Sequence, residues 1–409
     1  MRILILTQHF APEVTAARVR LQAFAQGLAG RGHDVEVVCA VPNHPDGVVR
    51  PEFRGRARVR RSMDGFEVHH VWVRSSPSKR PLDRMLLYGS YAAMATVVGS
   101  ALRRPDVVLA SSPPLPAAAA AAAVAARHRV PWVFDVRDLW PEAAIILGEL
   151  NDGPLARIAE RLERRLYDSA AAIVTVTEPF RGDIARRALE PGKITVIPNG
   201  TTQTWLEVGA TEEDRRSLSL PEDRFIWAYA GNLGIAQGLD AAIQGAGLLG
   251  EGYQLLLLGD GPMRGALEDR ARAVPPGAVA FHGLVEPALA ARYMRAADAC
   301  LVPLDAQPAL RKFVPSKLFD CCAVGRPVIV AAAGESQRLV TEAGAGIAVP
   351  PADAEALAGA VRRLRDDPAL RSRLAQAGRE FASRHLRERQ VERLEDILRA
   401  AVGERWDAG

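Results

Sequence analysis

Cysteine is scarce. The 409 residues contain four, Cys39, Cys300, Cys321 and Cys322, all in apolar stretches and none at metal-ligand spacing. That excludes a disulfide scaffold or a zinc ribbon and fits a reducing, cytoplasmic setting. Long apolar runs are lacking too. Met1–Phe10 is broken by Gln8 and His9 and is too short for a signal-peptide core with its flanks, so it reads as the first strand of a fold. Met85–Leu102 carries no charge and just reaches spanning length, but Gly89, Ser90, Tyr91, Thr96, Gly99 and Ser100 make it too polar to cross a membrane. A buried helix and a helix leaning on a membrane surface both stay open. A dinucleotide fingerprint is missing: Gly259-Asp260-Gly261-Pro262 lacks the third glycine, which disfavours NAD. No metal-ligand cluster is visible, and no nucleophile, base and orienter stand together. A hydrolase is therefore disfavoured, and neither metal nor cofactor is expected.

What is present is a folded chain longer than one ordinary core. Hydrophobic residues make up 48% and charged residues 24%, near the averages of globular proteins, which excludes wholesale disorder. Net charge is only +4 but uneven. Residues 50–104 hold twelve Lys and Arg, from Arg50 to Arg104, against Glu52, Asp64, Glu67 and Asp83, an excess of +8 that leaves the rest at −4. Such a surface attracts phosphate-bearing partners. Anionic lipid, a lipid diphosphate and nucleic acid all carry such phosphates; of these, peripheral contact of residues 50–104 with an anionic inner membrane is the expectation, with no nucleic-acid partner. A solvated Arg-rich hairpin is the plainer alternative.

Strand and helix patterns alternate, the signature of a parallel sheet covered on both faces. Strands are expected at 2–7, 34–41, 106–111, 131–136, 171–177 and 193–197, with a hairpin near 57–73. After a polar break at Asn199-Gly200 a second series follows at 225–230, 253–258, 279–282, 299–303, 327–330 and 346–349. Helices close the chain at about 353–367, 368–385 and 387–402.

Phe313–Val330 is the most informative stretch. Pro315-Ser316 opens a helix, Asp320 sits one turn inside it, Gly325 closes it and Pro327–Val330 starts a buried strand. The amino end of such a helix presents unpaired N–H groups to a phosphate. Ser316 would cap it, Lys317 adds a positive charge, and Asp320 would accept hydrogen bonds from ribose hydroxyls. Together they point to a diphosphate-linked nucleoside. Ala230–Leu239 follows a strand with small residues that let backbone approach a ligand, whereas His282 by itself reads as a satisfied loop histidine. In the first half, Gln8–Glu13 and Arg20 lead from strand one into helix one. Glu13 would bind hydroxyls and Arg20 a phosphate, or they are a helix-start acid and a surface arginine. Asp135, Arg137 and Asp138 share a strand end, where buried charges need each other or a substrate.

The Pro315–Val328 stretch resembles the donor-site motif of glycosyltransferase family 4, retaining enzymes of the GT-B fold. Asp320 stands at the second glutamate of that motif and Lys312 where the first would be. Pro315-Ser316-Lys317, Gln8–Glu13 and Asp135–Pro141 resemble one branch, the bacterial surface-polysaccharide enzymes that include N-acetyl-L-fucosamine-type transferases. The resemblance covers nearly the whole chain. It implies an α/β, GT-B architecture of two Rossmann-like domains facing across a cleft, 1–200 for the acceptor and 201–385 for the donor, with 386–409 returning as a helix to the first. It implies donor binding by Gly231, Asn232, Gly234, Gln237, Gly261, His282, Val285, Ser316, Lys317, Leu318 and Asp320. His9, Glu13 and Arg20 are implied for the acceptor, and Arg137, Asp138 and Lys317 for catalysis. Asn232 and Gln237 replace the family's Arg and Lys, and Arg137 replaces a histidine found in many members. The implied reaction is metal-free transfer from a nucleotide-sugar donor, a UDP-sugar first, to a lipid-linked glycan acceptor. It would take place at the cytoplasmic face of the membrane, in cell-surface polysaccharide biosynthesis. A non-catalytic GT-B scaffold subunit and a GT-B-fold sugar-nucleotide 2-epimerase are the alternatives.

Overall fold

The computed structural model describes residues 1–13, 15–44, 46–78, 80–146, 153–208 and 215–403. Lys79 of the basic segment and 209–214 of the polar break lie outside the described residues. The chain forms two compact units, Met1–Pro198 with Arg387–Gly409, and Asn199–Leu386.

In the first unit, short β-branched and leucine-rich runs between polar turns form β1 (Arg2–Leu6), β2 (Asp34–Ala40), β3 (Arg58–Met63), β4 (Phe66–Val71), β5 (Val107–Ser112), β6 (Trp132–Val136), β7 (Ala172–Thr175) and β8 (Ile194–Val196). They make one sheet of order β3-β4-β2-β1-β5-β6-β7-β8, parallel except for the β3–β4 hairpin. The second unit holds β9 (Phe225–Ala230), β10 (Tyr253–Leu258), β11 (Val279–His282), β12 (Ala299–Pro303), β13 (Val328–Ala331) and β14 (Gly346–Val349), in order β11-β10-β9-β12-β13-β14 and all parallel. Along β9, Ile226 and Ala228 enter one core while Trp227 and Tyr229 enter the other, so helices must cover both faces of the sheet. Each sheet reverses its order beside its first strand, between β1 and β5 and between β9 and β12. In open α/β sheets, ligands bind outside the carboxyl ends of strands at such points.

The uncharged stretch is part of helix Pro81–Ala101, which buries Tyr91, Ala95, Val98 and Gly99. Tyr91 Oη donates to the Val38 carbonyl at 2.9 Å, which ties the helix to β2. Leu82, Met85 and Val97 stay exposed. No helix among the described residues is long and apolar enough to cross a membrane.

Helix Arg387–Val402 belongs to the first unit. Val391, Leu394 and Leu398 share a core with Phe24 and Leu28 of helix Ala16–Gly30, and each such burial contributes about 2 kcal/mol. Glu395 accepts hydrogen bonds from Arg399 Nη2 at 2.7 Å, His33 Nε2 at 3.0 Å and Arg31. Burial opposes its ionisation, but those bonds outweigh it and bring the carboxyl from its ordinary 4.5 down to about 2. A carboxyl depressed in the folded state stabilises above its unfolded value, and that contribution is lost as pH falls through the folded one. Acid unfolding followed by circular dichroism should therefore keep this contribution down to pH 4.5 and lose it towards pH 2. Glu395→Gln should remove that limb.

Candidate functional site

At the carboxyl ends of β9 and β10, Gly231 and Gly259 adopt φ of +143° and +127°. Only glycine serves there: a Cβ on Gly259 would lie 2.0 Å from the Gly231 carbonyl oxygen, and one on Gly231 would lie 2.7 Å from Lys317 Nζ. Gly261 is packed as closely, 2.5 Å from the Leu233 carbonyl oxygen to a Cβ. Leu233 N donates to Asp260 O at 2.9 Å, and Gly234 N donates to Gln237 Oε1 at 3.1 Å, so Gln237 closes its own loop. Gly259 N donates to the carbonyls of His282 and Gly283 at 3.1 and 3.0 Å, which brings the end of β11 to the same place. The His282 ring packs on Tyr293 at 4.7 Å, a satisfied histidine, and Val285 lies partly buried against the core.

Lys317 reaches this cradle from helix Lys317–Ala323. Its Nζ donates to Tyr229 Oη at 2.6 Å and lies 3.8 Å from the ring centroid. Tyr229 Oη in turn donates to the Asn232 carbonyl at 2.6 Å. No carboxylate among the described residues balances Lys317, and burial brings its pKa from 10.5 down to about 7.

Three expectations for this helix are corrected. Ser316 has helical φ −57° and ψ −32°, and its side chain caps nothing, because a cap needs extended backbone to turn its oxygen onto the next amides. The amides of Leu318 and Phe319 donate to the carbonyls of Pro315 and Ser316 at 3.0 and 3.1 Å. The helix end therefore has little left for a phosphate, and the positive charge of the site resides in Lys317. Leu318 lies in the core at 0% exposure, so its side chain touches no ligand. Asp320 stands one turn on, partly buried.

In the first unit, fully buried Asp135 at the end of β6 accepts from Arg20 Nη2 and Nε at 3.0 and 3.2 Å and from Ser111 Oγ at 2.9 Å. Arg20, 4% exposed, engages the rest of its guanidinium on the carbonyls of Ile197 and Pro198 at 3.0 and 3.2 Å. It is a structural tie rather than the free phosphate ligand expected. Arg137 Nε donates to Ser111 Oγ at 2.8 Å and lies 3.9 Å from Asp135 Oδ2. Among the described residues no hydrogen bond holds its terminal Nη groups. Burial lifts the Asp138 carboxyl from 3.8 to about 6, with Arg137 opposing, so this group changes charge close to neutral pH.

Glu13 is corrected as well. Its Oε1 accepts from the amides of Asn43 and His44 at 2.8 and 2.9 Å, and its Oε2 from His9 Nδ1 at 2.7 Å. Burial opposes its ionisation, but His9 and the two amides outweigh it and hold the carboxyl below its ordinary value. With both oxygens engaged, Glu13 is not free for a ligand and instead orients the His9 ring through Nδ1. Sequence reasoning missed two residues. Tyr229 read as a strand interior. Gln8, 1% exposed, has both amide atoms buried with no hydrogen-bond partner among the described residues; its place at the end of β1 was the available signal.

Residues 15–200 match the Glycosyl transferase 4-like domain and residues 210–381 match Glycosyl transferases group 1. The chain is built of glycosyltransferase family 4-like and group 1 domains. It is 25% identical over 377 residues to WcaI of Escherichia coli K12, named for a glycosyl transferase of colanic acid biosynthesis, covering 89% of this chain and 92% of that one. It is also 25% identical over 434 aligned positions to the D-inositol 3-phosphate glycosyltransferase of Acidothermus cellulolyticus, covering 100% of this chain and 92% of that one. The fold matches HepE of Anabaena, solved in complex with UDP and glucose, at TM-score 0.73 and 17% identity over 97% of this chain and 99% of that one. The chain has the GT-B fold, two Rossmann-like domains with open parallel sheets.

Proposed function

We propose that this chain is a retaining glycosyltransferase that moves a hexose or N-acetylamino sugar from a nucleotide-diphosphate donor, a UDP-sugar first, to a lipid-linked glycan in bacterial surface-polysaccharide synthesis. One observation carries this: Lys317, partly buried and with no counter-ion among the described residues, stands at a glycine cradle where the second sheet reverses its order. A diphosphate supplies the missing anion. As the bond from the anomeric carbon to the diphosphate oxygen breaks, the electron pair leaves with the nucleoside diphosphate. A cation placed beforehand stabilises that growing charge more than it does the ground state, so the step as proposed needs no metal.

Gly231, Asn232, Gly234, Gln237, Gly261 and the backbone at His282–Val285 line the donor in this reading, and Asp320 meets the ribose. Arg137 takes an anionic group of the acceptor, and His9 and Asp138 take its hydroxyls. The UDP and glucose in HepE support the donor class, and the name of WcaI supports a polysaccharide product. Exposed Leu82, Met85 and Val97, together with the arginines between Arg50 and Arg61, support peripheral contact with the anionic inner leaflet from the cytoplasmic side. Calorimetric titration with UDP, GDP and dTDP tests the reading: UDP should bind in the micromolar range and the others about tenfold more weakly. Binding of none of the three would leave the scaffold alternative.

A further inference from the structure

Arg264 opens helix Arg264–Ala271, directly after the glycine turn that follows β10. Its Nε donates to Glu268 Oε1 at 2.8 Å, one turn on, which fixes the plane of the guanidinium. Among the described residues nothing accepts a hydrogen bond from its Nη groups. Nη1 stands 3.4 Å from where a Cβ on Gly283 would lie, so the guanidinium lies against the turn after β11. That turn is tied to the glycine cradle, because Gly259 N donates to the carbonyls of His282 and Gly283. Leu284, the next residue, leaves a large apolar side chain 77% exposed at the carboxyl edge of the sheet. Lys317 Nζ lies over Tyr229 of β9, two strands from β11, about 10 Å away at the usual strand spacing. A nucleoside spans a gap of that order between its phosphates and its base.

We propose, on the reading that a diphosphate lies at Lys317, that Arg264 is the residue that selects the donor's base. Its free Nη groups donate to a ring carbonyl, and Leu284 covers one face of the ring. The site then takes bases with an oxo group on that edge, which are uracil, thymine and guanine, and rejects cytosine and adenine, which carry an amino group there. A guanidinium can only donate. An amino group in place of the carbonyl sets donor against donor and leaves both unpaired away from water, and this kind of mismatch discriminates most strongly between similar ligands. Arginine reads the O6 edge of guanine in the DNA major groove by the same pairing. The carbonyls of the turn are already engaged by Gly259 N, so a side chain is the group left to read the edge. Binding involves no covalent step.

UDP and CDP isolate this contact, since their rings differ only along the edge formed by C4 and N3. Calorimetric titration of the full chain with each, at pH 8 where both diphosphates are fully ionised, should show wild type binding UDP about 30-fold tighter than CDP. Arg264→Met should weaken UDP about tenfold, leave CDP unchanged and bring the two within about threefold. Arg264→Gln, whose amide can donate or accept, should bind both about equally. An arginine that only holds the fold, or one that touches the phosphates, would move both nucleotides together. Equal affinity of wild type for UDP and CDP, or a preference that survives in Arg264→Met, overturns the proposal while UDP binding leaves the transferase reading intact. UDP binding undiminished in Lys317→Met overturns the reading on which the proposal rests, and absence of binding by either nucleotide overturns both.

Discussion

Lys317→Met is expected to lower kcat/KM for the nucleotide-sugar by about 10²–10³-fold, the usual cost of removing one group that stabilises a developing oxyanion. The fold should not suffer. Among the described residues Lys317 has no ion-pair partner to strand, and replacing a desolvated cation by an apolar chain of similar length is often neutral or stabilising. A thermal melt at or above wild type, combined with lost turnover, separates a catalytic loss from an unfolding one. Full activity in the variant would refute the diphosphate role.

Asp135→Ala should act in the opposite way, on stability. Asp135 is fully buried and receives two hydrogen bonds from Arg20, itself 4% exposed, so its removal strands a buried guanidinium. Breaking one side of such a pair costs about 3–5 kcal/mol, which for a unit of this size lowers the melting temperature by roughly 10 °C. Arg137, 3.9 Å from the same carboxylate, loses its nearest negative charge too. Removing both partners, as in Arg20→Met/Asp135→Leu, should recover most of the loss, because no charge is then left uncompensated. Differential scanning calorimetry of the two variants against wild type checks this. An unchanged melt for Asp135→Ala would show that the carboxylate waits for a ligand instead of holding the fold.

Much of the fold was legible because parallel strands covered on both faces are short apolar runs, and these stand out against polar turns. The strands at Phe225–Ala230 and Tyr253–Leu258 fall where the sequence places them, and so does the closing helix Arg387–Val402. The candidate site was legible in part. Lys317 and the glycines at 231, 259 and 261 do meet. Arg20 and Glu13 were misjudged because a charged side chain near a strand end looks the same in sequence whether it is free or tied. Arg20 is tied to a carboxylate 115 positions away. Tyr229 gave no signal at all, since its partner Lys317 is 88 positions distant.

The order of letters alone determined that this would be a pair of layered α/β units with glycine turns at the strand ends, because periodicity and backbone freedom are local properties. Only the assembled chain decided which polar groups are already satisfied and which are left for a ligand. That depends on hydrogen-bond partners and burial, which folding brings together from distant segments, and it is why Arg20 and Glu13 are tied while Lys317 has no counter-ion among the described residues.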